Sequence, residues 1–226
     1  MRIDIISCQP DLFTNIFQKS IIGRAVEKKI LEIHLHNLHN WALDKFKHID
    51  DTPFGGGSGM IIKCQPIFDC IEELKQQRKY DEIIYMTPDA PVLKQSVSNK
   101  LSLLCNIIIL CGHYKGIDQR VRDKLITLEL SIGDYVLTGG ELPAMVLVDS
   151  IVRLLSGALG DTESALTDSF MDGLLEAPIY TKPFSYLGMD VPEVLLSGNH
   201  KKISEWKSEQ SYNKTKNIRP DLLEDL

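Results

Sequence analysis

A short, continuous apolar run, "NIIILCG" at residues 106–112, places the strongest constraint on what this chain can fold into. Strands that are buried on both faces lack polar alternation, and they are typical of parallel sheets covered by helices. Four more runs have strand character: "RIDIIS", "LEIHLHNL", "DEIIYMTP" and "ITLELSIG". They alternate with helical patterns over the first two thirds of the chain, which predicts an α/β domain with a mostly parallel sheet.

The segments between these runs predict five helices. Their sequences are "DLFTNIFQKSIIGRAVEKK", "CQPIFDCIEELKQQ", "PVLKQSVSNKLSLL", "IDQRVRDKL" and "GELPAMVLVDSIVRLLSG". Pro143 suits the first turn of the last one. Just before that helix, Tyr135 to Leu137 resemble a second short strand, and the pair Gly139–Gly140 follows.

The character of the chain changes after Gly157. The segment "ALGDTESALTDS" is small, polar and acidic, as linkers are, and prolines and glycines then precede a helical end. We predict an α/β domain over 1–158, a linker over 159–168 and a small, mainly helical domain over 169–226. A domain of about 60 residues is marginally stable by itself, so we expect the C-terminal domain to pack against another surface.

Composition excludes several classes of protein. No apolar run approaches about 18 residues, so we expect no membrane span. The N-terminus, "MRIDIISCQPDLF", has an aspartate within its apolar part and lacks a cleavage pattern, so it predicts a first strand and a cytoplasmic protein. The five cysteines show no C-x-x-C spacing, which predicts reduced thiols in the core.

The charge of the chain gives two opposite indications about nucleic acid. A net charge of −6 argues against nucleic-acid binding. The segment His200–Arg219, however, holds six Lys or Arg residues against two acidic ones. A solvated helix face is the commoner explanation of such a run, and an RNA contact is the alternative.

Three loops follow successive predicted strands: "YMTPDAP" (85–91), "LCGHYKGID" (110–118) and "SIGDYVLTGGELP" (131–143). Ligands of open α/β sheets bind at the carboxyl ends of strands. These loops hold glycines and apolar side chains without a phosphate-loop lysine, which favours a nucleoside over a polyphosphate. Three ordinary tight turns are the alternative. His34, His36, His39 and His48 lack metal-ligand spacing, and we predict no metal site.

Six long motifs, in chain order, resemble those of one enzyme family. They are "DDTPFGGGSGM", "CGHYKGID", "SIGDYVLTGGELPAM", "DSFMDGLLEAPIYTKP", "VPEVLLSGNHKKISEW" and "RPDLLEDL". Together they cover essentially the whole chain and resemble the bacterial tRNA (guanine-N1)-methyltransferases, which methylate the guanine at tRNA position 37, beside the anticodon. The resemblance implies a trefoil-knotted catalytic domain of the SPOUT class. It also implies S-adenosylmethionine as cofactor and a homodimer whose active site is shared between subunits.

The resemblance assigns the cofactor site to the three loops. It implies cofactor contacts by Tyr85, Thr87, Pro88, Gly112, Tyr114, Ile132, Gly133, Asp134, Tyr135, Val136, Leu137, Gly139, Gly140 and Pro143. Main-chain groups of residues 132–137 would meet the adenine edge, with glycines where a side chain would collide.

The resemblance assigns catalysis to Asp168 and Arg153. Guanine N1 carries a proton, so a base must remove it as the methyl group transfers, and Asp168 is that base. The guanidinium of Arg153 would stabilise charge that develops on guanine O6. The alternatives are an N-cap role for Asp168, since "TDSFMDGLL" places it before a helical pattern, and a surface charge for Arg153.

Candidate contacts to tRNA are more dispersed. They are Asp50 in the glycine-rich loop region, Lys115, Ser169, and Lys201 and Lys202 in the basic run. The chain departs from the family pattern at His113 and Lys115, where arginine and glutamate are usual, and at Asp89 and Ala90, where glutamine and glycine are usual. Asp89 could offset the charge of Lys115. The resemblance also implies Mg²⁺ dependence, for which the sequence shows no dedicated carboxylate cage.

Two other functions are compatible with such a chain: a noncatalytic RNA-binding protein and an enzyme that methylates a ribose 2′-hydroxyl. A binding module needs no base and guanidinium opposite a cofactor, so Asp168 and Arg153 argue against the first. The long C-terminal motifs favour guanine N1 over the ribose.

Overall fold

The computed structural model describes residues 1–159 and 168–224. The chain divides into two compact units, Met1–Gly160 and Asp161–Leu226, and each is described by itself. Residues 160–167, the greater part of the predicted linker, lie outside the described residues.

The first unit contains seven strands among its described residues. They are β1 (Arg2–Ser7), β2 (Glu32–Asn37), β3 (Asp50–Asp51), β4 (Ile61–Ile62), β5 (Glu82–Met86), β6 (Asn106–Cys111) and β7 (Leu128–Leu130). Five of them form one sheet in the order β2-β1-β6-β5-β7, and every pairing in it is parallel. β3 and β4 form a separate antiparallel pair. The prediction of an α/β fold with a parallel sheet is confirmed.

The helices of the first unit are α1 (Thr14–Phe17), α2 (Ser20–Glu27), α3 (Cys64–Gln77), α4 (Gln95–Leu101), α5 (Gln119–Lys124) and α6 (Glu141–Val152). The single long helix predicted near the N-terminus is wrong. It is a 3-10 turn at Pro10–Phe13 followed by α1 and α2, because the backbone is extended at Lys19 and left-handed at Ser20, with φ of 59°. The strand predicted at Tyr135 to Leu137 is also wrong, since Tyr135 lies in a bend and the two residues after it have no regular secondary structure.

The position of β6 explains its apolar run. It lies in the middle of the sheet between β1 and β5, and its side chains alternate between two buried layers. Ile107, Ile109 and Cys111 pack on one face, with α2 and α6, while Ile108 and Leu110 pack on the other, with α3. Burying each isoleucine contributes roughly 1.5–3 kcal/mol, so both layers depend on this strand.

A buried carboxylate joins β1 to its surroundings. Asp4 is fully buried and accepts hydrogen bonds from Arg2 at 2.7 and 2.8 Å, from His36 at 2.7 Å and from Tyr80 at 2.9 Å. Burial alone would raise the pKa of Asp4, but these hydrogen bonds hold it below its usual value. Burial of Tyr80, together with its hydrogen bond to Asp4, raises the pKa of that phenol to about 12.

The cysteines confirm the core prediction only in part. All five are free; Cys8, Cys70 and Cys111 are buried, whereas Cys105 is exposed. Cys105 precedes β6, and its main-chain N–H donates to Asp81. Cys105 therefore lies in a bend at the surface and not in the core. Its apolar neighbours in the sequence led to the wrong prediction of a core position.

The described part of the second unit begins with turns from Asp168 to Leu174. A hairpin of β8 (Ser185–Tyr186) and β9 (Met189–Asp190) follows, then α7 (Glu193–Leu196) and α8 (His200–Ile218). Within 168–224 the first helix is α7, so the N-cap interpretation of Asp168 is wrong.

One threonine anchors the start of this unit to α8. Thr215 is fully buried, accepts a hydrogen bond from the Leu175 N–H at 2.9 Å and donates one to the Ser211 carbonyl at 2.8 Å. Ser211 in turn donates to the Leu175 carbonyl. Across the described residues of both units, no helix combines the length and apolar character needed to cross a bilayer.

Candidate functional site

A cavity of about 300 Å³ opens where β5, β6 and β7 end. All the predicted cofactor residues line it except Asp134. Met86, Asp89, His113, Lys115, Gly116, Ile117, Arg122, Leu130, Ser131 and Thr138 line it as well. The structure therefore brings the three predicted loops together, and the cavity falls within the usual range of small-molecule sites, ~300–1,000 Å³.

Two glycines allow the loops to approach this closely. A Cβ on Gly140 would lie 2.7 Å from the Gly112 nitrogen and 2.8 Å from the Cys111 Cα, and the Gly140 N–H donates to the Gly112 carbonyl at 2.7 Å. A Cβ on Gly112 would lie 2.9 Å from the Tyr85 hydroxyl. A side chain at position 140 would collide with backbone atoms, and one at position 112 would collide with the Tyr85 side chain. Neither position therefore has room for a side chain.

The mouth of the cavity is apolar. Tyr114, Tyr135 and Val136 are all at least about half exposed there, and the Tyr135 hydroxyl donates to the Ile132 carbonyl at 3.1 Å. Burial and the negative charge of Asp50 raise the pKa of Tyr114. The candidate substrate residue Asp50 therefore acts electrostatically on the second loop. Large apolar groups exposed at a concave surface suit a ligand that covers them.

Two residues that line the cavity, Arg122 and Asp89, form an ion pair, and Arg122 also pairs with Glu129. Arg122 donates to Glu129 at 2.7 Å through two nitrogens and to Asp89 at 2.8 Å through the third. The hydroxyl of Thr87 also donates to Asp89. These hydrogen bonds, that of Thr87 first, lower the pKa of Asp89. Asp89 therefore forms its ion pair with Arg122, which it shares with Glu129. The idea that Asp89 offsets the charge of Lys115 remains a prediction.

Lys115 lies between the second loop and the glycine-rich loop. The main-chain N–H of Lys115 donates to the Met60 carbonyl at 3.0 Å. The aliphatic part of its side chain passes 2.8 Å from the position that a Gly59 Cβ would occupy. The side chain is exposed. Lys115 thus brings a cation to the rim of the cavity, with Gly59 supplying the space for its stem.

A second cluster shares His113 with the lining of the cavity. One ligand-type atom from each of Cys8, His113 and Glu141 lies within 4.8 Å of the others. Glu141 accepts a hydrogen bond from Ser7 at 2.7 Å, and His113 Nδ1 is buried without a hydrogen-bond partner among the described residues. Burial and the charge of Glu141 raise the pKa of Cys8 to about 11.

The spacing of this cluster decides what it can bind. Tetrahedral zinc bonds of about 2.0–2.3 Å place neighbouring ligand atoms roughly 3.3–3.8 Å apart. His113 Nδ1 and Glu141 Oε2 are 4.0 Å apart, so the cluster as placed is too wide for a zinc shell. The sequence did not indicate it because its members are far apart along the chain.

One catalytic candidate, Arg153, lies elsewhere in the first unit. Arg153 ends α6 and lines a shallow surface cavity beside Ile16, Leu142 and Val146, not the cavity at the sheet edge. Asp168 belongs to the second unit. The structure of a single chain therefore does not bring Arg153 to the predicted cofactor residues.

The remaining substrate candidates are in the second unit. The Ser169 hydroxyl accepts from the Glu176 N–H at 2.9 Å and closes a turn. Lys201 and Lys202 are exposed in the first turn of α8, where Asn199 caps the Lys202 N–H at 3.2 Å. Two cations next to a helix N-terminus form a positive surface.

Sequence reasoning missed Arg122 as a cavity residue. Arg122 lies on α5, which follows the second loop in the sequence. Its closeness to the first loop depends on strand order, because Tyr85 on β5 is the register partner of Glu129 on β7. That adjacency is not encoded in any local pattern.

Comparison with known proteins agrees with this geometry. The family model described as tRNA (guanine-1)-methyltransferase TrmD matches residues 1–225. A protein of Christiangramia forsetii named tRNA (guanine-N(1)-)-methyltransferase is 59% identical over 225 residues, covering 100% of both chains. Proteins with the same name from Flavobacterium psychrophilum (58%; 99% of this chain, 100% of the relative) and Bacteroides fragilis strain ATCC 25285 (55%; 100% of both) are similar over comparable lengths. The chain belongs to the tRNA (guanine-N1)-methyltransferase family and is an enzyme of that family.

Proposed function

We propose that this enzyme transfers a methyl group from S-adenosylmethionine to N1 of guanine 37 in tRNA. The observation that carries the proposal is the convergence of the three loops on one cavity at the carboxyl edge of the parallel sheet. The five-stranded parallel sheet fits the SPOUT class. We further propose that the chain is knotted, and the close contact of Gly140 with the end of β6 supports this.

The cavity has the chemistry of a nucleoside site. Its exposed apolar side chains would enclose a heterocycle, and residues 132–137 would meet its polar edge. The guanidinium of Arg122 is already bound by two carboxylates, so it does not offer a free phosphate clamp. When bound here, S-adenosylmethionine supplies a methyl group on a positively charged sulfur.

The distance along α6 supports an active site shared between two subunits. The helix begins at the cavity and spans 12 residues before Arg153, which corresponds to about 18 Å at 1.5 Å per residue. An arginine side chain does not bridge that distance. In a homodimer, Arg153 of one chain would instead serve the cavity of the other, where it would stabilise negative charge on guanine O6.

The surface around Arg153 supports the same proposal. Leu142, Val146 and Ile16 lie next to it, and each is exposed by between 44% and 54%. Contiguous exposed apolar side chains of this kind are typical of protein interfaces.

We assign the role of base to Asp168: its carboxylate accepts the N1 proton of guanine as the new bond between N1 and the methyl carbon forms.

The basic face of α8 is the proposed contact with the tRNA backbone. Not all of its charge is available: Lys214 donates to the Glu176 carbonyl at 2.8 Å, and Arg219 pairs with Asp221 at 2.6 Å. Lys201, Lys202 and Lys207 are exposed. A local cluster of this kind can bind RNA despite a net charge of −6, with an affinity that falls as salt rises.

The activity is tested by methyl transfer from S-adenosylmethionine to a tRNA transcript with guanine at positions 36 and 37. We expect 1-methylguanosine in the digested product, and no product when guanine 37 is replaced. Asp168→Asn should reduce turnover by at least a hundredfold, whereas Asp172→Asn, an exposed neighbour, should retain it. Full activity of Asp168→Asn would refute the base, and a 2′-O-methylated product would favour the ribose reaction.

Subunit sharing is tested by mixing two inactive variants. Leu137→Lys places a cation in the apolar wall and should block the positively charged cofactor, while Asp168→Asn lacks the base. If the site is shared, randomly mixed chains regain about a quarter of wild-type activity, because half the dimers carry one intact site of two. If each site is built within one chain, no activity returns. Magnesium dependence and a cytoplasmic location remain predictions from the resemblance and the composition.

A further inference from the structure

We propose that Arg122 is a positioning residue that holds the first cofactor loop in its binding conformation. The inference rests on the proposed function, since it takes the cavity at the sheet edge as the S-adenosylmethionine site. Arg122 was not among the predicted site residues, and its role follows from where its three nitrogens point.

The guanidinium of Arg122 is fully engaged in a fixed geometry. Two of its nitrogens form a parallel pair of hydrogen bonds with Glu129, each 2.7 Å long, and the third reaches Asp89 at 2.8 Å. Its side chain is 21% exposed, and that of Glu129 is 28% exposed. Bidentate pairs of this kind fix orientation as well as distance, so Glu129 fixes the orientation of the arginine. The third nitrogen of Arg122 then holds Asp89, whose side chain is 60% exposed, through a single hydrogen bond.

Asp89 occupies the centre of the first loop, between two segments that the sheet already holds. The Thr87 N–H donates to the Leu130 carbonyl at 3.0 Å, and the Pro91 carbonyl accepts from the Ser131 N–H at 3.0 Å. Main-chain bonds thus fix both ends of the loop, while its centre is held through the Asp89 carboxylate. Because Thr87 and Pro88 line the cavity, the position of Asp89 decides the shape of that wall.

Arg122 also reaches the second loop, through Tyr85. The guanidinium carbon lies 5.6 Å from the centre of the Tyr85 ring, within the distance of a cation–π contact. The Tyr85 hydroxyl then packs against Gly112 of the second loop. A single side chain on α5 therefore connects two walls of the cavity with β7.

The test compares Arg122→Met with Arg120→Met. Arg120 lies on the same helix and also pairs with a carboxylate, Asp118 at 2.7 Å, but it does not line the cavity. We expect Arg122→Met to weaken S-adenosylmethionine binding about tenfold by calorimetry and to leave the melting temperature of the second unit unchanged. Arg120→Met should stay within twofold of wild type. Arg122→Lys should fall between them, because an ammonium cannot form the forked pair.

A double-mutant cycle distinguishes positioning from general destabilisation. If Arg122 acts through Asp89, then Asp89→Asn should weaken binding severalfold, and the combination with Arg122→Met should be little worse than Arg122→Met alone. Additive losses, or cofactor affinity in Arg122→Met equal to that in Arg120→Met, would overturn the proposal.

A cofactor-free measurement separates this proposal from the proposed function. Amide hydrogen exchange over residues 87–93 should be at least severalfold faster in Arg122→Met than in Arg120→Met. Faster exchange in a protein whose wild type fails to bind S-adenosylmethionine would support the role of Arg122 in holding the loop while refuting the cofactor assignment. Unchanged exchange would refute the role itself.

Discussion

Replacing Gly140 by alanine probes the closest backbone contact in the cavity. The φ of Gly140 is −80°, which any residue can adopt, so alanine there is not excluded by conformation. The obstacle is space: the added Cβ would lie 2.7 Å from the Gly112 nitrogen and 2.8 Å from the Cys111 Cα. Both atoms belong to the backbone at the end of β6, so neither can turn away as a side-chain end would.

The expected cost follows from these contacts. Forcing a methyl group into a packed interior costs about 1–3 kcal/mol, and the loss of unfolded-state freedom on replacing glycine offsets about 0.4–1 kcal/mol of it. We therefore expect a net loss of about 1–2 kcal/mol in the free energy of unfolding. For a unit of this size each kcal/mol lowers the melting temperature by about 2–4 °C. The segment must also move away from Gly112, so cofactor affinity should fall about five- to tenfold.

Calorimetric melting and cofactor titration of the same preparations measure both effects. The control is Gly55→Ala, which adds the same methyl group at a position where no atom of residues 1–159 or 168–224 lies within 4 Å. Its positive φ of 86° gives alanine a backbone cost of about 1–2 kcal/mol, but cofactor affinity should be unchanged. Wild-type stability together with wild-type affinity in Gly140→Ala would show that the contact yields easily, and the reasoning would be refuted.

Three further predictions concern other parts of the chain. Asp4→Asn should destabilise the first unit by about 3–5 kcal/mol in urea unfolding, because it leaves the Arg2 guanidinium, whose side chain is only 12% exposed, without its carboxylate. Since the pKa of Asp4 is lowered on folding, its contribution to stability is present above about pH 4 and declines as the pH falls below that value. A stability that does not depend on pH in that range would contradict the assignment. Thr215→Val should cost the second unit about 1–3 kcal/mol by leaving the Leu175 N–H unsatisfied, whereas Thr215→Ser should cost less because it retains the hydroxyl. Replacing Lys201 and Lys202 together by alanine should reduce the slope of log affinity against log salt for tRNA by about 1–2, and an unchanged slope would exclude them as phosphate contacts.

Local patterns were sufficient to predict the sheet. The run "RIDIIS" is β1 from Arg2 to Ser7, and "NIIILC" is β6. The second of these has the continuous apolar sequence of a strand buried on both faces. The same logic failed between residues 10 and 28. The second of the two helices there begins at Ser20, whose backbone is left-handed. The hydrophobic pattern continues through that position and therefore does not indicate the break.

The candidate site was predictable where loops follow strands and hidden where strand order matters. Glycines and apolar residues in three loops indicated the cavity, and the resemblance supplied its residues. The contact of Arg122 with Asp89 depends on β5 lying between β6 and β7 in the sheet. The cluster of Cys8, His113 and Glu141 depends on contacts among three distant segments. Neither the contact nor the cluster can be predicted without the tertiary structure.

The place of β1 in the sheet has a consequence for synthesis on the ribosome. One edge of β1 pairs with β2, about 30 residues later, but the other pairs with β6, where Arg2 faces Asn106. At about 5–20 residues per second, that second partner is translated roughly 5–20 s after β1. During this interval the nascent chain exposes a strand edge flanked by Ile3, Ile5 and Ile6, the kind of surface that holding chaperones protect. We therefore expect the chain to be most prone to association through β1 before β6 has been translated.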